Sequence, residues 1–197
     1  MASRSSKPTS KDQRLGERDW VEAANDILVE ENVRGIKLDR LCRKLGVTKG
    51  SFYWHFKKRA ELLTALLADW RKRMTLNTIN QLTSQSNRRR LANLLKRPRH
   101  PKATRAAAIE VSIRDWARRD PMAAEALTEV DTIRLEFFKK IFIDEGFAPE
   151  QAHQRAYLAY CLMMGDSVIN KSLPDHIDQE QFTELAMTIL FQNEQRQ

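Results

Sequence analysis

The chain has 197 residues, 42% apolar and 30% charged, the balance of a folded globular protein of one large domain or two small ones. Its longest uncharged stretch, 74–87, is 14 residues rich in Asn, Thr, Ser and Gln, short of the roughly 20 apolar residues of a membrane span. The polar, basic start lacks a secretory core, and two cysteines cannot frame a disulfide scaffold, so the expected setting is the cytoplasm, with no membrane partner. The net charge of +8 is uneven: +7 over residues 1–73, +8 over 74–105, where no acidic residue occurs, and −7 over 106–197. A basic front attracts polyanions.

Helical periodicity runs through the whole chain, and strand alternation is absent. Trp20, Ala24, Ile27 and Leu28 form one apolar stripe of a helix over about 10–31. Ser10 with Gln13 suggests a capping box at its start, and Asn32–Gly35 its stop, with Gly35 able to take a positive φ. Leu38–Leu45 and Thr48–Phe56 are two short helices around Gly46–Val47. A fourth runs from Arg59 into the eighties and a fifth over Leu91–Arg97, before the breaks at Pro98 and Pro101. Ala103–Arg119 is the sixth. Asp120–Pro121 caps the seventh, which ends at Gly146. Pro149 opens the eighth, through about Asn170, and Asp178 with Gln181 caps the ninth, through Phe191. The expectation is an all-α protein of nine helices.

Function concentrates in Gly35–Trp70. Leu38, Leu41, Cys42 and Leu45 share one buried face, Gly46 makes the turn, and Thr48 caps the next helix through its hydroxyl. Phe52 and Phe56, four apart, pin that helix to the core together with part of Trp54. Its other faces present Lys49, Gly50, Ser51, Tyr53, Trp54 and His55. This is a helix-turn-helix whose second helix fits a DNA major groove. Lys49 sits in the first turn, within reach of bases or phosphates, and Gly50 and Ser51 leave little bulk against the groove. Tyr53 and His55 either offer polar tips to phosphates or pack with those tips satisfied. Lys57, Lys58 and Arg59 follow as backbone contacts, and free N–H groups near Thr48 suit a phosphate.

The segment Leu45-Gly46-Val47-Thr48-Lys49-Gly50-Ser51-Phe52-Tyr53-Trp54-His55-Phe56 resembles the core motif of the TetR family of bacterial transcriptional regulators, with Leu62–Leu63 in register behind it. The resemblance covers about residues 14–70. It implies a three-helix DNA-binding domain over 1–58, with 1–10 a disordered arm, and a ligand-binding and dimerisation domain over 59–197. It places Lys49 and Ser51 at groove-facing positions, Tyr53 and His55 at phosphate contacts, and Arg59 at a backbone contact. Lys37 departs from the family's usual Thr or Ser, losing a cap and adding a cation.

Beyond residue 71 the resemblance is architectural. The small and apolar rows of the last two helices, Ala152, Ala156, Ala159 and Met163 with Phe182, Leu185, Ala186 and Ile189, stand where the family forms its homodimer, or else pack within one subunit. Ile113, Trp116, Val130, Phe137, Phe138, Tyr157, Met163 and Met164 are candidates to line a pocket for a largely apolar small-molecule effector, or plain core. The basic stretch 88–102 either flanks the operator or is a solvated loop, the second reading being favoured. No phosphate-binding glycine loop, zinc-ligand set or catalytic dyad stands out, so no catalytic residue, metal or cofactor is expected. The resulting reading is a sequence-specific regulator, a ligand-responsive repressor bound as a homodimer to a palindromic double-stranded DNA operator. A non-specific nucleic-acid binder and a helical enzyme are the alternatives.

Overall fold

The computed structural model describes residues 15–101, 103–173 and 176–192, which form an all-α protein with no strand among them. The elements are α1 (Glu17–Glu31), α2 (Leu38–Leu45), α3 (Lys49–His55), α4, α5 (Asn87–Lys96), α6 (Ala103–Ala117), α7 (Pro121–Asp144), α8 (Pro149–Ile169) and α9 (Gln179–Phe191). Helix α4 starts as Arg59–Arg71, widens into a π-helical turn over Lys72–Leu76 and resumes as Asn77–Leu82. Counted so, nine helices stand among the described residues.

Several ends follow from local chemistry. The Asp120 side chain accepts from the N–H groups of Met122 and Ala123, and Asp178 accepts from Gln181, as expected of N-caps. The Ser10–Gln13 box and the arm 1–10 lie outside the described residues. Among those described, α1 is preceded by Gly16, whose N–H donates to the Asp19 carboxylate at 2.7 Å. The helix stops within the expected Asn32–Gly35, but Gly35 is not the residue that takes the positive φ. Asn32 takes the positive φ, 71°, and accepts from the Arg34 N–H. Gly35 serves close approach instead, since a Cβ there would lie 2.7 Å from the Glu31 Cβ. The fifth helix starts four residues before the expected Leu91, at Asn87.

Two cores form. Trp20, Ile27, Leu28, Leu41, Phe52 and Phe56 of the first three helices bury against Leu62, Leu66 and Trp70 of α4, and that core continues into Ile109, Ile113 and Trp116 of α6 and Val130 of α7. The second joins Leu91 and Leu95 of α5, Phe138 and Phe142 of α7, Ala152, Ala156 and Ala159 of α8, and Ala186 and Leu190 of α9. Apolar burial at about 25 cal/mol per Å² drives both. The long α7 contributes to each.

Candidate nucleic-acid interface and cavity

Burial of Phe52 sets the rotation of α3. Trp20 meets its ring edge-on with centroids 5.3 Å apart, and Phe56 lies at 5.5 Å. Gly46, with φ 70° and ψ 32°, closes α2 in the left-handed region and turns the chain into α3. With Phe52 inward, Thr48, Lys49, Gly50, Tyr53 and Trp54 are exposed, and Ser51 and His55 half-buried. The expectation that part of Trp54 packs in the core fails. Two residues, about 200°, separate it from Phe52 around the helix, and it is 88% exposed.

Thr48 occupies the N-cap position, but its hydroxyl bonds no helix amide, correcting the expected side-chain cap; its carbonyl accepts from the Ser51 N–H. The Lys49 Nζ lies 2.7 Å from the Asp39 Oδ1 of α2. That hydrogen bond raises the pKa of Lys49 and lowers that of Asp39. Lys37 is exposed and extended ahead of α2, and caps nothing. Lys57 is exposed, while its N–H donates to Glu61 at the start of α4. Arg59 is exposed and bonded within the subunit. Its guanidinium donates to the carbonyls of Ile36 (2.6 Å) and Val33, tying α4 to the loop before α2.

Three residues of the basic stretch 88–102, Arg88, Lys96 and Arg99, engage acidic groups of the back of the chain. Arg88 pairs with Glu145 at 3.1 Å and lies over the Phe191 ring, and Lys96 pairs with Glu180. Arg90 donates to the carbonyls of Leu82 and Thr83. Arg99 binds Asp166 at 2.7 Å and the Ile177 carbonyl. Lys102 lies outside the described residues. Arg73 and Arg105 hold α1 through Glu22, and Arg105 also reaches Asp26. Burial raises the Glu22 and Asp26 pKa values, but those guanidiniums outweigh it and leave both lowered.

Behind α4 lies a cavity of about 110 Å³, bounded by Met74, Thr75, Thr78 and Ile79 of the π-helical turn and the helix beyond it, and by residues of α5 to α8. Of the expected pocket residues, Phe137, Phe138, Met163 and Met164 line it. Ile113, Trp116 and Val130 do not; they belong to the first core. Tyr157 faces outward at 60% exposure. Against the cavity stands a buried polar network that the sequence reading missed. Arg134 donates to both oxygens of Glu110 at 3.0 Å, to Thr75 and to Tyr160, and Trp70 donates its indole N–H to Glu110. Arg114 bridges Glu110 and Asp131, and Tyr160 donates to Asp131 at 2.6 Å. Burial, with help from Asp131 and against Arg134, pushes the Tyr160 hydroxyl up to about 12. For Arg134, burial disfavours the charge, but Glu110 outweighs it and raises the pKa. The i, i+4 spacing of Glu110 and Arg114 and the Tyr160 phenol on an apolar face were the available signals.

The outer rows of α8 and α9 differ from those expected. Ala152, Ala156, Ala159 and Ala186 are buried inside the subunit, and Met163 faces the cavity. Of the expected rows only Leu185 and Ile189 are exposed, on α9, while Tyr157, Leu158, Val168 and Ile169 are the exposed large apolar residues of α8; Phe182 is half-buried. The small residues lie inward because α8 packs closely along α7.

Residues 21–66 match the model of the bacterial regulatory proteins, tetR family. The HTH-type transcriptional regulator SrpR of Pseudomonas putida is 44% identical over 48 residues, 24% of this chain and 22% of that protein, so the match spans about a fifth of that relative. A transcriptional regulator from Rhodococcus sp. Rha1 superimposes with a TM-score of 0.72 at 20% identity, covering 89% of this chain and 94% of the other. A Saccharomonospora viridis protein solved in complex with choline gives 0.73 at 13% identity, covering 90% and 96%. At these identities the structural likeness is one of fold.

Proposed function

This chain belongs to the tetR family of bacterial regulatory proteins, and from that premise we propose that it is a ligand-responsive transcriptional repressor acting as a homodimer on a palindromic operator. The observation that carries the reading is the outer face of α3. Lys49, Gly50, Tyr53 and Trp54 stand free of the core while Phe52 locks the helix in place. A rigid, basic and thinly covered first turn is what major-groove readout requires. Lys37 and Lys57 are proposed phosphate contacts, with Ser51 and His55 at the margins of the groove. Arg59 acts by holding α4 against the loop before α2.

The exposed apolar residues Tyr157, Leu158, Val168, Ile169, Leu185 and Ile189 of the last two helices are the proposed homodimer surface, since large exposed apolar area marks association. Two α3 helices about 34–36 Å apart would then read successive major grooves. The cavity is the proposed effector site. The Saccharomonospora viridis protein holding choline is an instance of this fold with a small ligand. Helix α4 packs its front half on the DNA-reading core and contributes Met74 and Thr75 to the cavity. An effector that binds more tightly when this turn repacks would favour a dimer whose reading helices are wrongly spaced, and only such differential affinity releases DNA.

The test is selection of genomic DNA on the full-length protein, followed by binding to variants of the recovered site. The reading expects a palindromic site, loss of base preference at one position with Lys49→Ala, and a near-uniform loss across all sites with Lys57→Ala. Recovery of unrelated sequences, all bound equally, would favour a non-specific binder.

A further inference from the structure

The cavity behind α4 has one charge left over. Its walls are mostly apolar, with Met74, Ile79, Phe137, Phe138, Met163 and Met164 among them. Nearly every polar group that reaches it is spent internally. The Thr75 hydroxyl accepts from Arg134, the Thr78 hydroxyl turns back on the Met74 carbonyl, and the Ser167 hydroxyl donates to the Met164 carbonyl. Glu110 and Asp131 are matched by Arg114 and Arg134 through paired hydrogen bonds, so this network carries no net charge. Arg97, at the end of α5, is the exception. It lines the cavity, and among the described residues its guanidinium has no hydrogen-bond or ion-pair partner. Although the residue as a whole is exposed, the protein around its head lowers its pKa by desolvation, and the like charge of Arg134 adds to the shift.

We propose that the effector of this protein is an amphipathic monoanion, an apolar body carrying one carboxylate, with the body in the cavity and the carboxylate on Arg97. The inference rests on the reading of this cavity as the effector site. A guanidinium presents two parallel N–H donors that match a carboxylate in bidentate geometry. One incoming negative charge neutralises Arg97 and relieves its repulsion with Arg134. A cationic ligand would meet an unpaired positive charge at the rim. A neutral one would fill the apolar space and leave Arg97 uncompensated. A dianion would bring a charge with no partner here, because the other two guanidiniums are already saturated. The carboxylate would also link the end of α5 to a ligand body lying on Met74 and Thr75, connecting its arrival to the π-helical turn of α4.

The experiment is calorimetric titration of the full-length protein at constant ionic strength with three probes of equal chain length: octanoate, 1-octanol and octyltrimethylammonium. Wild type, Arg97→Gln and the cavity-filling Ala107→Leu are compared. Octanoate is expected to bind wild type at least about tenfold more tightly than 1-octanol, the worth of one charged hydrogen-bonded pair, and octyltrimethylammonium most weakly. Arg97→Gln should close the gap between octanoate and 1-octanol, and Ala107→Leu should weaken both. Equal binding of octanoate and 1-octanol to wild type, or a preference that survives Arg97→Gln, would overturn the monoanion while leaving the cavity as the site, provided Ala107→Leu still weakens both. Binding indifferent to Ala107→Leu, or no binding of any probe, would overturn the cavity reading itself and the inference with it.

Discussion

Removing one member of the buried Glu110–Arg134 pair exposes what the network contributes. Glu110 and Arg134 are 7% and 9% exposed, joined by two hydrogen bonds of 3.0 Å. Glu110→Met takes away the only carboxylate bound to Arg134 among the described residues and strands a guanidinium in the interior. It also leaves the Trp70 indole N–H without its acceptor. Breaking a buried pair from one side costs about 3–5 kcal/mol, a large part of the roughly 5–15 kcal/mol that keeps a domain folded. For a chain of this length, that lowers the unfolding midpoint by about 6–20 °C. Glu110→Met combined with Arg134→Met removes both charges. Arg114 keeps Asp131, so most of the loss should return, leaving about 1–3 kcal/mol for the orphaned indole. Urea unfolding of the four proteins, at one protein concentration and pH 7, closes the cycle. A single variant that loses under about 1 kcal/mol, or a double variant as unstable as the sum of the singles, would refute this account of the network.

Gly46→Ala forces a Cβ onto a residue at φ 70° with nothing within 4 Å of it, so only backbone strain acts; about 1–2 kcal/mol should be lost in thermal unfolding. Gly50→Ala meets only the Thr48 hydroxyl, at 3.6 Å. Its fold and midpoint should hold while affinity for the selected operator falls, as read by anisotropy. Tyr160 is protonated more tightly when folded, its pKa rising from 10.0 to about 12. Its contribution is therefore whole below about pH 10 and is lost as pH rises to about 12. In Tyr160→Phe the fall in stability over that window should be shallower. Leu185→Glu and Ile189→Glu put charges on the exposed face of α9 and should give monomers in sedimentation, with α-helical content unchanged; a dimer would move the interface elsewhere.

The fold was legible because the signals were local. The Asp120 and Asp178 caps, the Gly46 turn and the stripe of Trp20, Ala24, Ile27 and Leu28 each act within a few residues. The exposed rim of α3 was legible for the same reason, since Phe52 and Phe56 set the rotation of the whole helix. Where three-dimensional pairing decides, the sequence was a poor guide. Ala152, Ala156 and Ala159 read as an outer, dimer-facing row in preference to an inner one, and the proximity of α7 turns them inward. Ile113 and Trp116 were candidate pocket walls with plain core the favoured reading, and they complete the first core. The basic stretch 88–102 read as a solvated loop or a DNA-flanking surface, yet Arg88, Lys96 and Arg99 find partners 57 or more residues away. That pairing favours the first helices as the proposed DNA footprint and sharpens what the net charge of +8 means.

Competition between the selected operator and random DNA of equal length, at one fixed salt concentration, tests the central claim most directly. A sequence-reading α3 predicts a preference of about 10³-fold or more, lost when Lys49 and Tyr53 are replaced together by Ala. A ratio near one in the wild-type protein would contradict it.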